Sequence, residues 1–245
     1  MSMTDAEVAR MDELEGSLWW YRGLRALITW AMNSHAPNAV DILDAGCGTG
    51  GMLKAIGDHR RGARLHGIDL SEASCAFTRR KTGAQVVQGS IDALPFADAS
   101  FDALVSLDVL GYPMDRKATL RGFHRVLRPG GVLVLNLAAY QWMLSYHDVA
   151  VGQVKRFSRS EAKALLREAG FEVLRTTYWN TLLFPLMALR RKLWPSPEAS
   201  DVAPFHPIVD KAFGGCLALE RRLISFGAAL PFGGSVLLMA RRPHA

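Results

Sequence analysis

The chain has 245 residues, 49% of them hydrophobic and 21% charged, with a formal charge of +6. This composition supports a packed core and excludes an intrinsically disordered chain; no run approaches about eighteen uncharged apolar residues, so no membrane-spanning helix is expected. The polar, acidic residues 1–15 lack the apolar segment of a secretory signal, and three scattered cysteines (Cys47, Cys75 and Cys216) suit neither a disulfide framework nor a metal site, so a reducing cytoplasm is expected.

Residues 1–35 are expected to be helical. Trp19-Trp20-Tyr21-Arg22 falls within them, and aromatic side chains at adjacent helical positions cannot all face one side. Asp41 to Ala45 is a short apolar run bounded by turn signals, which reads as a buried parallel strand. Gly46, Gly48 and Gly50 then make a tight turn, and a helix is predicted over 51–60. Strand, glycine turn and helix form a nucleotide crevice, because missing side chains admit a ligand to the backbone and the helix offers unpaired N–H groups. Gly46, Gly48 and Gly51 also satisfy the dinucleotide spacing, and Asp69 ends the next strand (63–69), where a carboxylate suits either an NAD ribose or an S-adenosylmethionine ribose.

Further strands are predicted at 85–89, 101–107 and 131–138, with helices at 71–82 and 115–127; Pro129-Gly130 is the expected stop for the last helix. Ser158-Arg159-Ser160-Glu161 reads as a capping box opening a helix that ends at Gly170. A sixth strand covers Phe171 to Tyr178 and a seventh Gly234 to Arg241. Between them, 182–194 and 208–230 look helical, joined by the Pro-rich, polar stretch 195–207. The alternation predicts an α/β fold with a doubly wound, mostly parallel seven-stranded sheet. We read 1–245 as a single domain carrying a helical insertion, 182–230, between strands six and seven.

Asp44 to Gly50, Leu94-Pro95-Phe96 through Ser100-Phe101-Asp102, and Leu127-Arg128-Pro129-Gly130-Gly131 occur in order. Together they resemble the class I S-adenosylmethionine-dependent methyltransferases, in the branch with LPF-x-x-x-SFD and LRPGG motifs, over roughly residues 18–180. The resemblance implies S-adenosylmethionine as cofactor. It places Asp44 near the amino-acid end of that cofactor, Gly46 and Gly48 against it, Asp69 on the ribose and Leu70 beside the adenine. Relatives often carry Gly-Asp-Ala before Leu-Pro-Phe; here Ser90 takes the Asp position, with the Ile91 N–H available to a ring nitrogen and Asp92 two residues on. Related enzymes use an N-terminal helix as a lid, so 1–35 is expected to cover the site, with Arg22 or Arg25 pairing with the cofactor carboxylate.

An acceptor should enter at the C-terminal ends of strands four and five. Asp108, Tyr112, Asn136, Tyr140, His147 and Asp148 stand there, with Asp108 assigned to the cofactor and Tyr112, His147 and Asp148 to catalysis. His147-Asp148 with Lys155-Arg156-Phe157 is similar to an HD…H-x-RRF pattern of one branch, and histidine suits proton exchange near neutral pH. Gln153 replaces the second histidine of that pattern, and Gly111-Tyr112 replaces a common Glu-His, so no metal is expected.

The reading is a methyltransferase for a small-molecule or lipid-like acceptor, through O- or N-methylation. The alternatives are an NAD(P)-dependent oxidoreductase and a non-catalytic S-adenosylmethionine-binding protein. No nucleic-acid motif is evident. The apolar, cation-flanked helices of 182–230 suit an anionic lipid surface, with peripheral membrane association, or a homodimer contact.

Overall fold

A computed structural model describes residues 5–193 and 205–244. Two helices, α1 (Asp5–Glu15) and α2 (Trp19–His35), precede β1 (Asp41–Ala45). Then follow α3 (Gly51–His59), β2 (Arg64–Asp69), α4 (Glu72–Thr82), β3 (Gln85–Gln88), β4 (Phe101–Leu107), α5 (Arg116–Val126) and β5 (Leu127–Ala138). The rest comprises α6 (Tyr146–Ala150), α7 (Arg159–Glu168), β6 (Glu172–Trp179), α8 (Phe184–Leu193), α9 (Pro207–Ser225) and β7 (Ser235–Arg241).

The strands form a seven-stranded sheet in the order β3-β2-β1-β4-β5-β7-β6. All neighbours are parallel except β7, which runs antiparallel to both β5 and β6. β1 is buried along its whole length, as a strand with helices on both faces must be. Leu43, Leu104 and Leu133 face a core packed by Leu120 and Phe123 of α5. Ile42, Val105 and Val134 face the opposite core, packed by Leu27 and Ile28 of α2, Ile56 of α3 and Leu217 of α9. The order reverses between β1 and β4, so the C-terminal ends of these strands open the crevice where ligands settle in such sheets.

Local departures from the sequence reading have simple causes. α5 ends at Val126 and β5 starts at once at Leu127, so Pro129-Gly130 does not stop the helix. The pair lies inside a strand whose register to β4 shifts between Phe101 and Ala103, with Gly130 at φ 79°, as a bulge requires. The capping box is half formed. Ser158 Oγ accepts from the Glu161 N–H, but the Glu161 carboxylate pairs with Lys155 at 2.7 Å. In the insertion, α9 stops at Ser225 rather than 230, because Gly227 turns the chain at φ 103° and Leu230 bridges to Tyr178. Trp194 and most of the 195–207 connector lie outside the described residues.

Candidate functional site

The turn after β1 is held from beneath. The Gly46 and Cys47 N–H groups both donate to the Ile68 carbonyl, at 2.8 and 3.1 Å. Thr78 of α4 donates its hydroxyl to the Gly48 carbonyl at 2.7 Å. Cys47 is a small buried packing residue, with its sulfur pressed toward Gly67. Gly46, at φ 87°, adopts a backbone that L side chains avoid, and a β-carbon there would strike Val109.

Above this turn two buried polar atoms have no hydrogen-bond partner, Asp44 Oδ1 and Thr49 Oγ1. Such groups are rare in native cores and call for a ligand or water. Asp44 is only 2% exposed; burial, reinforced by Asp69 and Glu15, pushes its pKa up to about 8. Asp69 accepts from the Gly48 N–H and the Ser71 N–H, both at 2.9 Å, so it props the glycine turn while facing the same crevice. Its pKa is raised by burial against those hydrogen bonds. An unpartnered acid over a glycine cradle, with a second acid at the next strand end, fits a ligand that carries positive charge and hydroxyls.

On the adenine side the expectations divide. Leu70 is 58% exposed beside Asp69, where core packing would have hidden it. Ser90 instead caps the short 3-10 turn Ile91–Ala93, its Oγ accepting from the Asp92 N–H at 3.2 Å. The Ile91 side chain belongs to the core. Asp92 accepts from the Thr119 hydroxyl of α5.

The three aromatic residues opening α2 go three ways. Trp19 meets Phe213 of α9 at 5.3 Å, and Trp20 stacks on Trp179 at 4.6 Å. Burial pushes the Tyr21 pKa up to about 12, aided by Glu15 and Asp108. Arg22 is corrected: its guanidinium is tied to Asp210 of α9 at 2.5 Å and to the Ser17 carbonyl. Arg25 donates to the Glu15 carbonyl at 2.5 Å.

Glu15 and Met11 of α1 escaped the sequence reading. The Met11 methyl lies over Gly48, and the Glu15 carboxylate packs against Gly51 at the N-terminus of α3. Lys81 of α4 pairs with both Asp12 and Glu15. The signal for this was weak, since residues 5–15 carry no apolar stripe.

On the acceptor side, Asp108 follows β4 at φ 59°, a strained setting for a side chain that clusters at functional sites. Asn136 donates to its two carboxylate oxygens at 3.0 and 2.9 Å. Trp179 Nε1 in turn donates to Asn136 Oδ1 at 2.7 Å, fixing the amide's orientation. Burial lifts the Asp108 pKa to about 6 despite the Asn136 bond. Tyr112 stands nearby, its pKa pushed up to about 12 by burial and then by Asp108 and Asp69. Gln153 donates to the Asp108 carbonyl at 2.9 Å, a structural role for the position where the resemblance would put histidine.

Asp148 is corrected from catalysis to architecture. It is buried, pairs with Arg156 at 2.6 Å and Arg191 at 3.5 Å, and accepts from the Ser145 N–H and hydroxyl at 2.7 and 2.9 Å. These partners hold its pKa below the ordinary carboxylate value against the cost of burial. Paired with two guanidinium groups and holding a depressed pKa, it is a poor acceptor for a substrate proton. His147 lies on α6, but its side chain is outside the described residues. Among the described residues no cluster of His, Cys, Asp or Glu could hold a metal.

Comparison with known proteins adds independent findings. A family model described as "Methyltransferase domain" matches residues 43–135. A ubiquinone biosynthesis O-methyltransferase of Pseudomonas aeruginosa is 31% identical over 202 residues, covering 71% of this chain and 86% of that protein. An O-methyltransferase of Aspergillus sclerotiorum is 34% identical over 56% of this chain and 56% of its own length. The chain thus spans little more than half of some of the curated relatives it matches. Among solved structures, a Haloferax volcanii complex of a methyltransferase with the Trm112 methyltransferase activator aligns with TM-score 0.67 at 23% identity, covering 98% of this chain and 96% of that one. A geranyl diphosphate methyltransferase solved with GPP and sinefungin aligns at 0.59 and 18% identity, over 89% and 77%. These structures share the fold.

Proposed function

The chain belongs to the class I S-adenosylmethionine-dependent methyltransferases, and from that premise we propose that it transfers a methyl group to a small-molecule or lipid-like acceptor. The observation that carries the reading is the buried, unpartnered Asp44 Oδ1 over the Gly46–Gly50 turn, with Asp69 beside it. The dinucleotide reading of the glycine spacing gives way, because the matched family and the relatives named above are methyltransferases. The relatives' own names also favour the acceptor class: one acts in ubiquinone biosynthesis and another is a 24-methylenesterol C-methyltransferase of Oryza sativa.

When bound, S-adenosylmethionine supplies an electrophilic methyl group on a sulfonium. Asp44 would face its cationic amino-acid end, Asp69 would accept from the ribose hydroxyls, and the exposed Leu70 would lie against the adenine. Tyr21, Tyr112 and the α1–α2 lid keep water from the crevice, where positioning and desolvation carry much of the rate. Of the two acids on the acceptor side, we favour Asp108, assigned from the sequence to the cofactor, over Asp148 as the group that takes an acceptor's proton. Burial raises its pKa to about 6, and among the described residues its carboxylate accepts from the neutral Asn136 amide rather than from a cation.

The test is twofold. Asp69→Ala removes a charged acceptor for two hydroxyls, each bond worth about 1.5–3 kcal/mol, so calorimetry should show S-adenosylmethionine affinity falling at least tenfold, about 1.4 kcal/mol. Unchanged affinity in a folded variant removes the site. Incubation with labelled cofactor and with polar and lipid extracts should yield S-adenosylhomocysteine; none from any fraction would favour a non-catalytic binder.

A further inference from the structure

Amphipathic helices of globular proteins turn their leucines inward; α8 does the reverse. Phe184 is buried, Met187 reaches Gly234, and Arg191 donates to the Met143 carbonyl at 2.9 Å. The outward face carries Leu186, 55% exposed, and Leu189, 52% exposed, one helical turn apart. Leu182 leads into this stripe and the exposed Arg190 and Lys192 end it. Trp142, whose ring lies 6.0 Å from that of Phe184, is 55% exposed, and Tyr146 of α6, the helix whose Asp148 pairs with Arg191, is 61% exposed. Lys192 Nζ sits 5.1 Å from the Trp142 ring centre.

The segments that build this face carry few acids, and the Glu220 carboxylate of α9, which accepts from the Leu182 N–H, is buried. Residues 116–160 contain a single acid, Asp148, and residues 173–197 contain none. Asp148 is buried between Arg156 and Arg191, so it offers no negative surface. Leucines at the centre with tryptophan, tyrosine and cations at the margin form the composition of an interfacial surface. The face also adjoins the acceptor entrance. Tyr140, which follows β5, stacks on Trp142 at 5.8 Å and lies 5.5 Å from Phe184, at the head of α8.

We propose that the outward face of α8, with Trp142 and Tyr146, docks on an anionic lipid bilayer and sets the acceptor entrance against it. The proposal deepens the lipid-like branch of the function proposed above and rests on it for the acceptor. The docking itself requires no turnover. Its partner is the bilayer surface, recognised through apolar insertion and cationic attraction, and it narrows the surface to α8 rather than the whole 182–230 insertion.

The full chain should sediment with phosphatidylcholine–phosphatidylglycerol vesicles at low salt, and less so at high salt or with phosphatidylcholine alone. Each cation near such a surface contributes about 1 kcal/mol. Arg190→Ala/Lys192→Ala should therefore weaken partition about thirtyfold. Leu186→Ser/Leu189→Ser should weaken it at least tenfold at either salt, whereas Leu223→Ser/Phe226→Ser on α9 should leave it unchanged. If the leucine variant does not fold, the exposed cation variant carries the test. No sedimentation at low salt overturns the proposal. So does binding that only the α9 variant abolishes, or a dimer by light scattering that the α8 leucine changes dissociate without vesicle binding. Calorimetry with S-adenosylmethionine on the same samples separates the two readings: retained cofactor affinity without vesicle binding sinks the docking alone.

Discussion

Asp44 lies at the floor of the crevice with one oxygen unpartnered, and its folded pKa is raised from 3.8 to about 8. Across that window the folded chain keeps a proton that the unfolded chain has lost, so stability falls as pH rises through it. Asp44→Asn should raise the melting temperature of the ligand-free protein near pH 8 and leave it nearly unchanged near pH 4. A cationic ligand beside Asp44 favours the ionised form. Binding of S-adenosylmethionine near pH 7 should therefore release protons, seen as a buffer-dependent calorimetric enthalpy, and Asp44→Asn should abolish the release. Asp148 has the opposite sign. Its pKa is depressed in the folded state, so its contribution is present above the unfolded carboxylate pKa and lost as pH falls through the folded one. Asp148→Ala leaves Arg156 and Arg191 facing each other in the interior and should cost about 3–5 kcal/mol by urea denaturation. A loss below about 1 kcal/mol would return Asp148 to the candidates for chemistry.

At the scale of elements, the two N-terminal helices are tied down by contacts of different character. α2 is welded to the sheet and the insertion: Trp20 stacks on Trp179, Arg22 pairs with Asp210, and Leu217 of α9 fills the space over Gly23. α1 is held largely by polar contacts, the Lys81 pairs with Asp12 and Glu15 and the Arg25 bond to the Glu15 carbonyl. Few buried apolar contacts and many polar ones mark a segment that opens locally. Lys81→Met should speed amide exchange across residues 5–15 while the amides of β1 and β4 keep their protection. Uniform acceleration through both strands would show that α1 belongs to the global unit. Aromatic residues at three consecutive positions predicted that α2 serves more than one partner. They did not predict that Trp19 meets α9, because the insertion follows some 190 positions later, as the 191-residue separation of the Trp19–Asp210 bond shows.

For the molecule as a whole, the insertion divides β6 from β7 in the chain, yet β7 lies between β5 and β6 in the sheet. Among the described strands β6 pairs with β7 alone, so its place in the sheet depends on a strand that follows it in the chain. A chain ending at residue 230 should fail to seat β6 and lose the cooperative transition in circular dichroism; a native-like transition would mean that the β1–β5 unit folds without its neighbours. Trp179 at the end of β6 orients Asn136 and through it Asp108, so such a truncation should also disorder the acceptor side.

Local signals in the sequence determined the sheet, the glycine turn with Asp44 before it and Asp69 at the next strand end, and the presence of helices within 182–194 and 208–230. Glycines, caps and short apolar runs act over a few residues, and their meaning survives without a partner. The resemblance to the family rested on three motifs in order, and membership was shown by the relatives. The tertiary structure alone decided the fate of side chains whose partners are remote: Arg22 committed to Asp210, Ser90 to its own turn, Asp92 to Thr119, and Asp148 to two arginines. It also brought Glu15 over Gly51, linked Asp108 to Trp179 through Asn136, and turned the leucines of α8 outward. A charged or polar side chain bonds whichever complement the fold brings near, and no periodicity along the chain encodes that distance.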